Sequence, residues 1–435
     1  MKFSFSKTGA GFTPSFTLLE LLIVIGIIAV LGSVTFIALN PVETLRTGRD
    51  TQRFADLDAL NKAVNMAVIE NTSTSLGTAS TVYVSLPDAS ATCGSWSLPS
   101  LPTGWAYHCA ASSTYTLTNG TGWLPVNLAA LSTGSPVSHD PLDPTNDATH
   151  YYQYVPNPSQ TTWELASVME SSKYKMGGSN DKTSTDGGGN VSLYEKGTDL
   201  TLVPVDSGDS SLVGWWPLNE GSGTVAYDRS GKGNNGTWAG TPAGDNGTYY
   251  TTSGGKPVGE FNGSDDYVIS STTTTVLPAT APISVSFWED WSGILITNCS
   301  GDGVIGTNYG YSFPVGVRHG SYCYEGANGK ITGSFESNSN TYLPYGPIDS
   351  SSAANQWRFY VLTNDGSTST LYSNGSLVQS ISATPYQSPA GGNITFGGVE
   401  WAGRFDLANT ILRDIRIYKK VLSQQEIQAI YNATR

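Results

Sequence analysis

Ser15-Phe16-Thr17-Leu18-Leu19-Glu20-Leu21-Leu22-Ile23-Val24-Ile25 opens a run, 16–39, in which Glu20 is the one charged residue. As a helix this run would extend about 36 Å at about 1.5 Å per residue, enough to cross a hydrocarbon core of about 30 Å. Lys2 and Lys7 precede it, so that end is expected to stay cytoplasmic while the rest crosses outward. A secretory signal would place its small-residue cleavage site after the apolar run. Here the small residue, Ser15, lies before it. A carboxylate inside a membrane helix is costly, so Glu20 needs a partner or a place near the headgroups at the positive helix end.

With Glu20 fifth when counted from Phe16, the segment resembles the type IV pilin and type II secretion pseudopilin family. In that family a prepilin peptidase cuts before the Phe and methylates the new amine. The resemblance implies a cut at Ser15/Phe16. Residues 1–15 are then a leader, and 16–70 the N-terminal helix, membrane-embedded over 16–39. The family usually has Gly before the cut, and Ser15 departs from this. Gly11-Phe12-Thr13 offers the usual pair, but a cut there puts Phe16, not a Glu, fifth. A cleaved Phe16 carries a positive amine in apolar surroundings, and a neighbouring subunit's Glu20 would neutralise it and set the filament register. The partners implied are the prepilin peptidase, other pilin-like subunits and the membrane. The location implied is the cytoplasmic (inner) membrane, single-pass with the C-terminal domains outside, or a surface filament. The plain alternative is a signal anchor.

Pro41 lacks an amide hydrogen and is expected to interrupt the helix. Beyond it Phe54, Leu57, Leu60, Val64 and Val68 fall on one helical stripe. Arg46/Asp50 and Arg53/Asp56 have the spacing of surface ion pairs. Residues 71–205 read as a pilin-like head, a long helix followed by a small antiparallel sheet with strands at 81–86, 115–118, 151–155 and 161–165. Cys93 and Cys109 are expected to form a disulfide in an oxidising exterior. Asp140, Asp143 and Asp147 gather oxygen ligands of the kind calcium prefers, in a loop that resembles one in major pseudopilins. The competing reading is a set of Asp-Pro turns. Residues 176–190 read as a flexible surface loop, 193–203 as a closing strand, and 206–211 as a linker.

The C-terminal half begins Leu212-Val213-Gly214-Trp215-Trp216-Pro217-Leu218-Asn219-Glu220-Gly221. It continues through Phe261-Asn262-Gly263-Ser264-Asp265-Asp266-Tyr267-Val268, Ile283-Ser284-Val285-Ser286-Phe287-Trp288 and Trp357-Arg358-Phe359-Tyr360-Val361 to Ile415-Arg416-Ile417-Tyr418. Alternating strands separated by Gly and Asn turns predict an antiparallel sandwich that closes between matching terminal strands. As a set these motifs resemble the concanavalin A-like, laminin-G-type jelly roll, over 212–435. The fold class expected is therefore multidomain: a pilin-like α+β unit, then an all-β concanavalin A-like sandwich. The second resemblance implies glycan binding and a calcium ion, with Asp228, Asn234 and Asp414 as its ligands. Cys299 and Cys323 are expected to staple a variable loop. For stacking on sugar rings the candidates are Trp291, Trp401 with Arg404, Tyr309 and Tyr322, while Trp216, Trp288 and Trp357 read as core. Packed loop aromatics are the competing reading.

The formal net charge of −13, with no Lys or Arg between Lys62 and Lys173, argues against nucleic acid as a partner. Catalysis is not expected. Glu289 and Asp290 are adjacent and must face opposite sides of a strand, so they cannot be a glycosidase pair. The four His lack zinc spacing. The leading reading is a pilin-like subunit displaying an adhesive, carbohydrate-binding domain. The alternatives are a pseudopilin-type secretion component or a membrane-anchored surface protein with a structural jelly roll, and, remotely, a glycan-active hydrolase.

Overall fold

The computed structural model describes residues 17–70, 74–270, 280, 282–293, 302–308, 316–319, 331–334, 348–349, 353–382, 393–401 and 404–435. Helix α1, Leu18–Leu39, is followed by α2, Pro41–Glu70. Thr17 starts α1 as its cap: its hydroxyl accepts from the Glu20 amide at 3.2 Å, and its own amide donates to Glu20 Oε2 at 2.9 Å. The interruption expected at Pro41 is present. Asn40 adopts φ 39°, its Oδ1 accepts from the Glu43 amide, and Pro41 takes the first helical position, where a missing donor costs nothing. Among the described residues no helix is long and apolar enough to cross a membrane. The side chains of α1 described run from Leu18 to Ser33 and are exposed.

In α2 the predicted stripe is buried: Leu57, Leu60 and Val64 are fully enclosed, and Phe54 and Val68 pack at its edge. It lies on one face of a five-stranded sheet of β1 (Thr81–Pro87), β2 (Ala106–Ala110), β3 (Tyr152–Asn157), β4 (Thr162–Val168) and β5 (Leu193–Gly197), ordered β2-β1-β3-β4-β5. The sheet is mixed rather than wholly antiparallel, because β1 and β2 run parallel. The crossover between them is closed by the expected Cys93–Cys109 disulfide, whose Cα atoms are 5.3 Å apart. Residues 115–118 form turns, not a strand. Their carbonyls serve a compact loop in which Leu117 O would lie 2.1 Å from a Cβ on Gly122.

The surface ion pairs expected on α2 are also replaced. Arg53 is fully buried and binds Asp50, Asp143 and Glu170 instead of Asp56, because the loops after β2 and β4 close over this part of the helix. Asp56 accepts from the Tyr152 hydroxyl, and Arg46 pairs with Glu43. Residues 176–190 form a loop of turns held by side-chain hydrogen bonds. Asp181 accepts from the amides of Gly177, Thr183 and Ser184.

Among the described residues the C-terminal half is a sandwich of two eight-stranded sheets, the larger being the one with the longer strands, beside a two-stranded sheet of Gly398–Trp401 and Arg404–Leu407. In the larger, the strands run Ser376–Ser382, Thr368–Ser373, Arg358–Asn364, Ile283–Trp291 and Asn409–Tyr418. The last of these pairs through its first half with Lys256–Asn262, which carries Tyr250–Ser253. Its second half pairs with Leu212–Trp216, so the domain's terminal strands are neighbours, as predicted. The smaller sheet runs from Ile348–Asp349 to Val225–Ala226. Trp216, Phe261, Phe287, Tyr360, Phe396 and Ile417 fill the space between them. Helix α3, Gln424–Thr434, begins with a Ser423/Glu426 capping box.

The two units share a hydrophobic cluster. Met176 and Val191 of the head pack with Leu212, Trp215, Tyr418, Ile427 and Ile430 of the sandwich. The segment 206–211 is built into this junction. Asp206 is 1% exposed, and Asp209 binds Lys420 at 2.7 Å. The disulfide-closed loop adds a further contact, with the Ser100 amide donating to the Gly231 carbonyl at 2.8 Å.

Candidate functional site

The outer face of the larger sheet carries the arrangement most suited to a ligand. In the strand Ile283–Trp291 alternate residues Phe287, Glu289 and Trp291 lie on the core side, so Trp288 and Asp290 point outward. Trp357 and Phe359 point the same way from the Arg358–Asn364 side. In the strand Asn409–Tyr418, Leu412 and Ile415 both face the core although three residues apart. Asp414 makes this possible: its φ of 53° forms a bulge where the register against Ser286/Trp288 shifts. Ile411, Arg413 and Arg416 are thereby turned outward.

Much of this face is covered. Ile427, Ile430 and Tyr431 of α3 lie over Trp288 and Phe359, and the head covers Trp215. The end formed by Trp357, Arg413, Ile411, Asp290, Glu260 and Ser253 stays half-exposed. There the Arg413 Cζ lies 4.5 Å from the Trp288 ring centroid and 5.0 Å from that of Trp357. Trp357 Nε1 donates to Ser253 Oγ at 3.0 Å, and Arg413 Nη1 donates to the Thr434 carbonyl at 2.8 Å. A half-exposed, hydrogen-bonded indole beside a fixed guanidinium and flanking carboxylates can stack on an apolar sugar face and bind its hydroxyls.

Trp291 ends its strand and is 7% exposed, so its ring is part of the core side rather than a loop platform. Trp401 and Arg404 face each other across a two-residue hairpin connection, and their side chains lie outside the described residues. Tyr309, Tyr322, Cys299 and Cys323 lie outside the described residues as well. Trp357 read as core in the sequence. Its position at the mouth of a strand, in register with Phe359 and Val361, was the available signal for the sheet face, but not for its exposure.

Asp228, Asn234 and Asp414 do come together, around Trp215. The Trp215 amide donates to Asp228 Oδ1 at 2.9 Å and its indole to Asp414 Oδ1 at 2.6 Å. Asp228 also accepts from the Ser230 amide and hydroxyl and from the Asn234 amide, two donors on each oxygen. Asp414 is further bound by Arg416. The three expected loop carboxylates in the head diverge. Asp143 is held by both Arg53 Nε and Nη2 at 2.7 Å. Asp147 is half-exposed and accepts from Thr149 and His150. Asp140 is 1% exposed, and burial pushes its carboxyl up to about 7. As arranged, neither set turns free oxygens toward a common point. Among the described residues no group of three or more His, Cys, Asp or Glu could hold a metal ion. Glu20 is engaged in the α1 cap, while Ser15 and Phe16 lie outside the described residues.

Residues 262–428 match the family model Laminin_G_3, described as the concanavalin A-like lectin/glucanases superfamily. That stretch is a concanavalin A-like jelly roll. No pilin or pseudopilin family model matches the N-terminal part. No curated protein matches the chain. Similar solved structures include domain 4 of AbnA, a GH43 extracellular arabinanase from Geobacillus stearothermophilus, in complex with arabinotriose. It has 16% identity and TM-score 0.37, over 52% of this chain and 98% of that one. The receptor binding domain of botulinum neurotoxin C/D mosaic serotype is similar at 20% identity and TM-score 0.39, over 52% of this chain and 51% of that one. The binding domain of Paraclostridial Mosquitocidal Protein 1 has 15% identity and TM-score 0.38, over 51% and 52%. This chain thus spans about half the length of the two toxin structures it matches. Likenesses this distant carry no argument about its ligand.

Proposed function

We propose that the chain is a pilin-like subunit, anchored in the inner membrane through 16–39, that displays its jelly roll as a carbohydrate-binding, adhesive domain. It acts by binding, without turnover. The observation that carries the reading is the platform at the open end of the outer sheet face, a half-exposed Trp357 next to Arg413. The anchor is supported by the apolar helix Leu18–Leu39 and by the position of Glu20 relative to Phe16. Absence of catalysis is supported by Glu289, which lies on the core side and accepts from Thr410, while its neighbour Asp290 faces out.

The test is a glycan array probed with the full-length protein in detergent, beside Trp357→Ala. A fragment starting at 206 would strip Met176 and Val191 from the shared cluster, so the whole chain is the proper reagent. Saturable binding by the parent and its loss in the variant, with melting unchanged, is expected. No sugar bound by either protein refutes the adhesive reading. That same shared cluster favours a second reading, in which the jelly roll is a fixed structural cap on a pseudopilin-type or surface-anchored subunit. Under it the array stays blank and truncation of the sandwich unfolds the head.

A further inference from the structure

Three of the cations described on the sandwich have a carboxylate. Arg416 is paired with Asp414, Lys420 with Asp209 and Glu426, and Arg358 with Asp349. Arg413 differs. Among the described residues no carboxylate oxygen lies within 4.0 Å of its guanidinium. Its polar contact is the Thr434 carbonyl, bound through Nη1. Two indole rings lie against the group, and burial pushes it below the ordinary arginine range. The plane of the fork is therefore set by Trp288 and Trp357 and one corner by a carbonyl. Its remaining N–H donors have no partner within the described sandwich. A half-desolvated cation without an anion is a costly arrangement, and a carboxylate relieves it best, accepting two parallel N–H bonds from one fork.

We infer that Arg413 is the specificity-determining residue of the Trp357 platform and that it selects glycans bearing a carboxylate, such as uronic or sialic acids, over neutral ones. This rests on the reading of the platform as a sugar site. The surrounding charges fix the polarity of binding. Asp290 and Glu260 both flank Ile411, Asp290 across one strand pair and Glu260 across the other. They repel an anion at that end and accept hydroxyls there, so the acidic group lies over Arg413 and the neutral rings extend toward Ile411. The whole chain carries −13, so long-range attraction for a polyanion is absent and recognition depends on the local fork.

The experiment titrates the full-length protein in detergent with two matched pairs: hexagalacturonate against its methyl ester, and sialyllactose against lactose. At least one acidic member is expected to bind tenfold or more tighter than its neutral mate, with the difference shrinking as salt rises. Arg413→Gln is expected to bind both members of that pair alike. Arg413→Lys keeps the charge but not the planar fork, and is expected to lose most of the preference while melting like the parent. Equal binding of acid and neutral forms in both pairs overturns the inference and leaves the sugar reading standing. A preference that survives Arg413→Gln overturns it also. No binding of any of the four, with a blank array, overturns the sugar reading itself and the inference with it.

Discussion

Replacing Arg53 by Met should unfold the junction between α2 and the loops that cover it. Arg53 is 0% exposed, and its guanidinium donates to Asp143 Oδ2 and Oδ1 at 2.7 Å, to Asp50 Oδ1 at 2.8 Å and to Glu170 Oε1 at 2.6 Å. Asp50 in turn accepts from the amides of Glu170 and Ser171. Two cations, Arg49 and Arg53, thus balance three carboxylates, leaving one formal negative charge. Without Arg53 the excess doubles, beside two buried carboxylates, Asp50 and Asp143. Removing one partner of a buried ion pair costs about 3–5 kcal/mol, because the other charges are left uncompensated. At about 1.4 kcal/mol per tenfold, amide exchange in α2 should speed up by about a hundredfold or more. The assay is hydrogen exchange of peptides covering Pro41–Glu70 in the full-length protein. The double variant Arg53→Met/Asp143→Asn removes one of the stranded charges and should recover part of the loss. A change of less than fivefold in Arg53→Met, or no recovery in the double variant, refutes the reasoning.

The same cluster gives the head an acid limit. Burial alone would raise the Glu170 carboxyl, but hydrogen bonds from Arg49 and Arg53 bring it down to about 2 from 4.5. Its contribution is full above pH 4.5 and lost as pH falls toward 2, which exchange measured across that window should show. Glu195 and Glu164, buried on neighbouring strands, act in the opposite direction. Burial, then the charge of Glu164, raises Glu195 well above 4.5, so the folded head holds the extra proton and loses stability as pH climbs past 4.5. Glu195→Gln should flatten that alkaline slope, and an unchanged slope refutes the assignment. Cys93→Ser/Cys109→Ser opens the loop that carries Ser100 to Gly231. A loss of about 3 kcal/mol is expected from a loop of this length, with faster exchange at 229–233. Glu20→Ala should insert in the membrane yet yield no filaments, and a normal filament yield refutes the pairing role of Glu20.

Much of the architecture was legible from local pattern. The apolar run before Asn40, the stripe from Phe54 to Val68 and the alternating strands after Leu212 each follow from a period that the backbone itself imposes. Pairing of the first and last sandwich strands was legible for the same reason, since both carry matching strands that need a partner. The disulfide between Cys93 and Cys109 followed from their proximity and the expected exterior. The parallel pairing of β2 was not legible, because its neighbour is chosen by a crossover and a crosslink rather than by its own five residues.

Sites were harder to read than elements. Asp228, Asn234 and Asp414 lie close together in the fold, yet what they surround is Trp215, and only the fold supplies those donors. Trp357 and Trp288 look alike along the chain. One is covered by α3 and the other stands at its edge, a difference made by where a helix ends rather than by either strand. Local pattern along the chain was enough for the two long helices and for most strands, though not for 106–110 or 115–118, and for which face of each is apolar, because those depend on residues a few positions apart. The tertiary structure alone decided that Arg53 is interior, that head and sandwich share a core, and that no carboxylate among the described residues reaches Arg413. Each of those depends on which distant groups are brought within a hydrogen bond's reach, and no spacing along the chain encodes it.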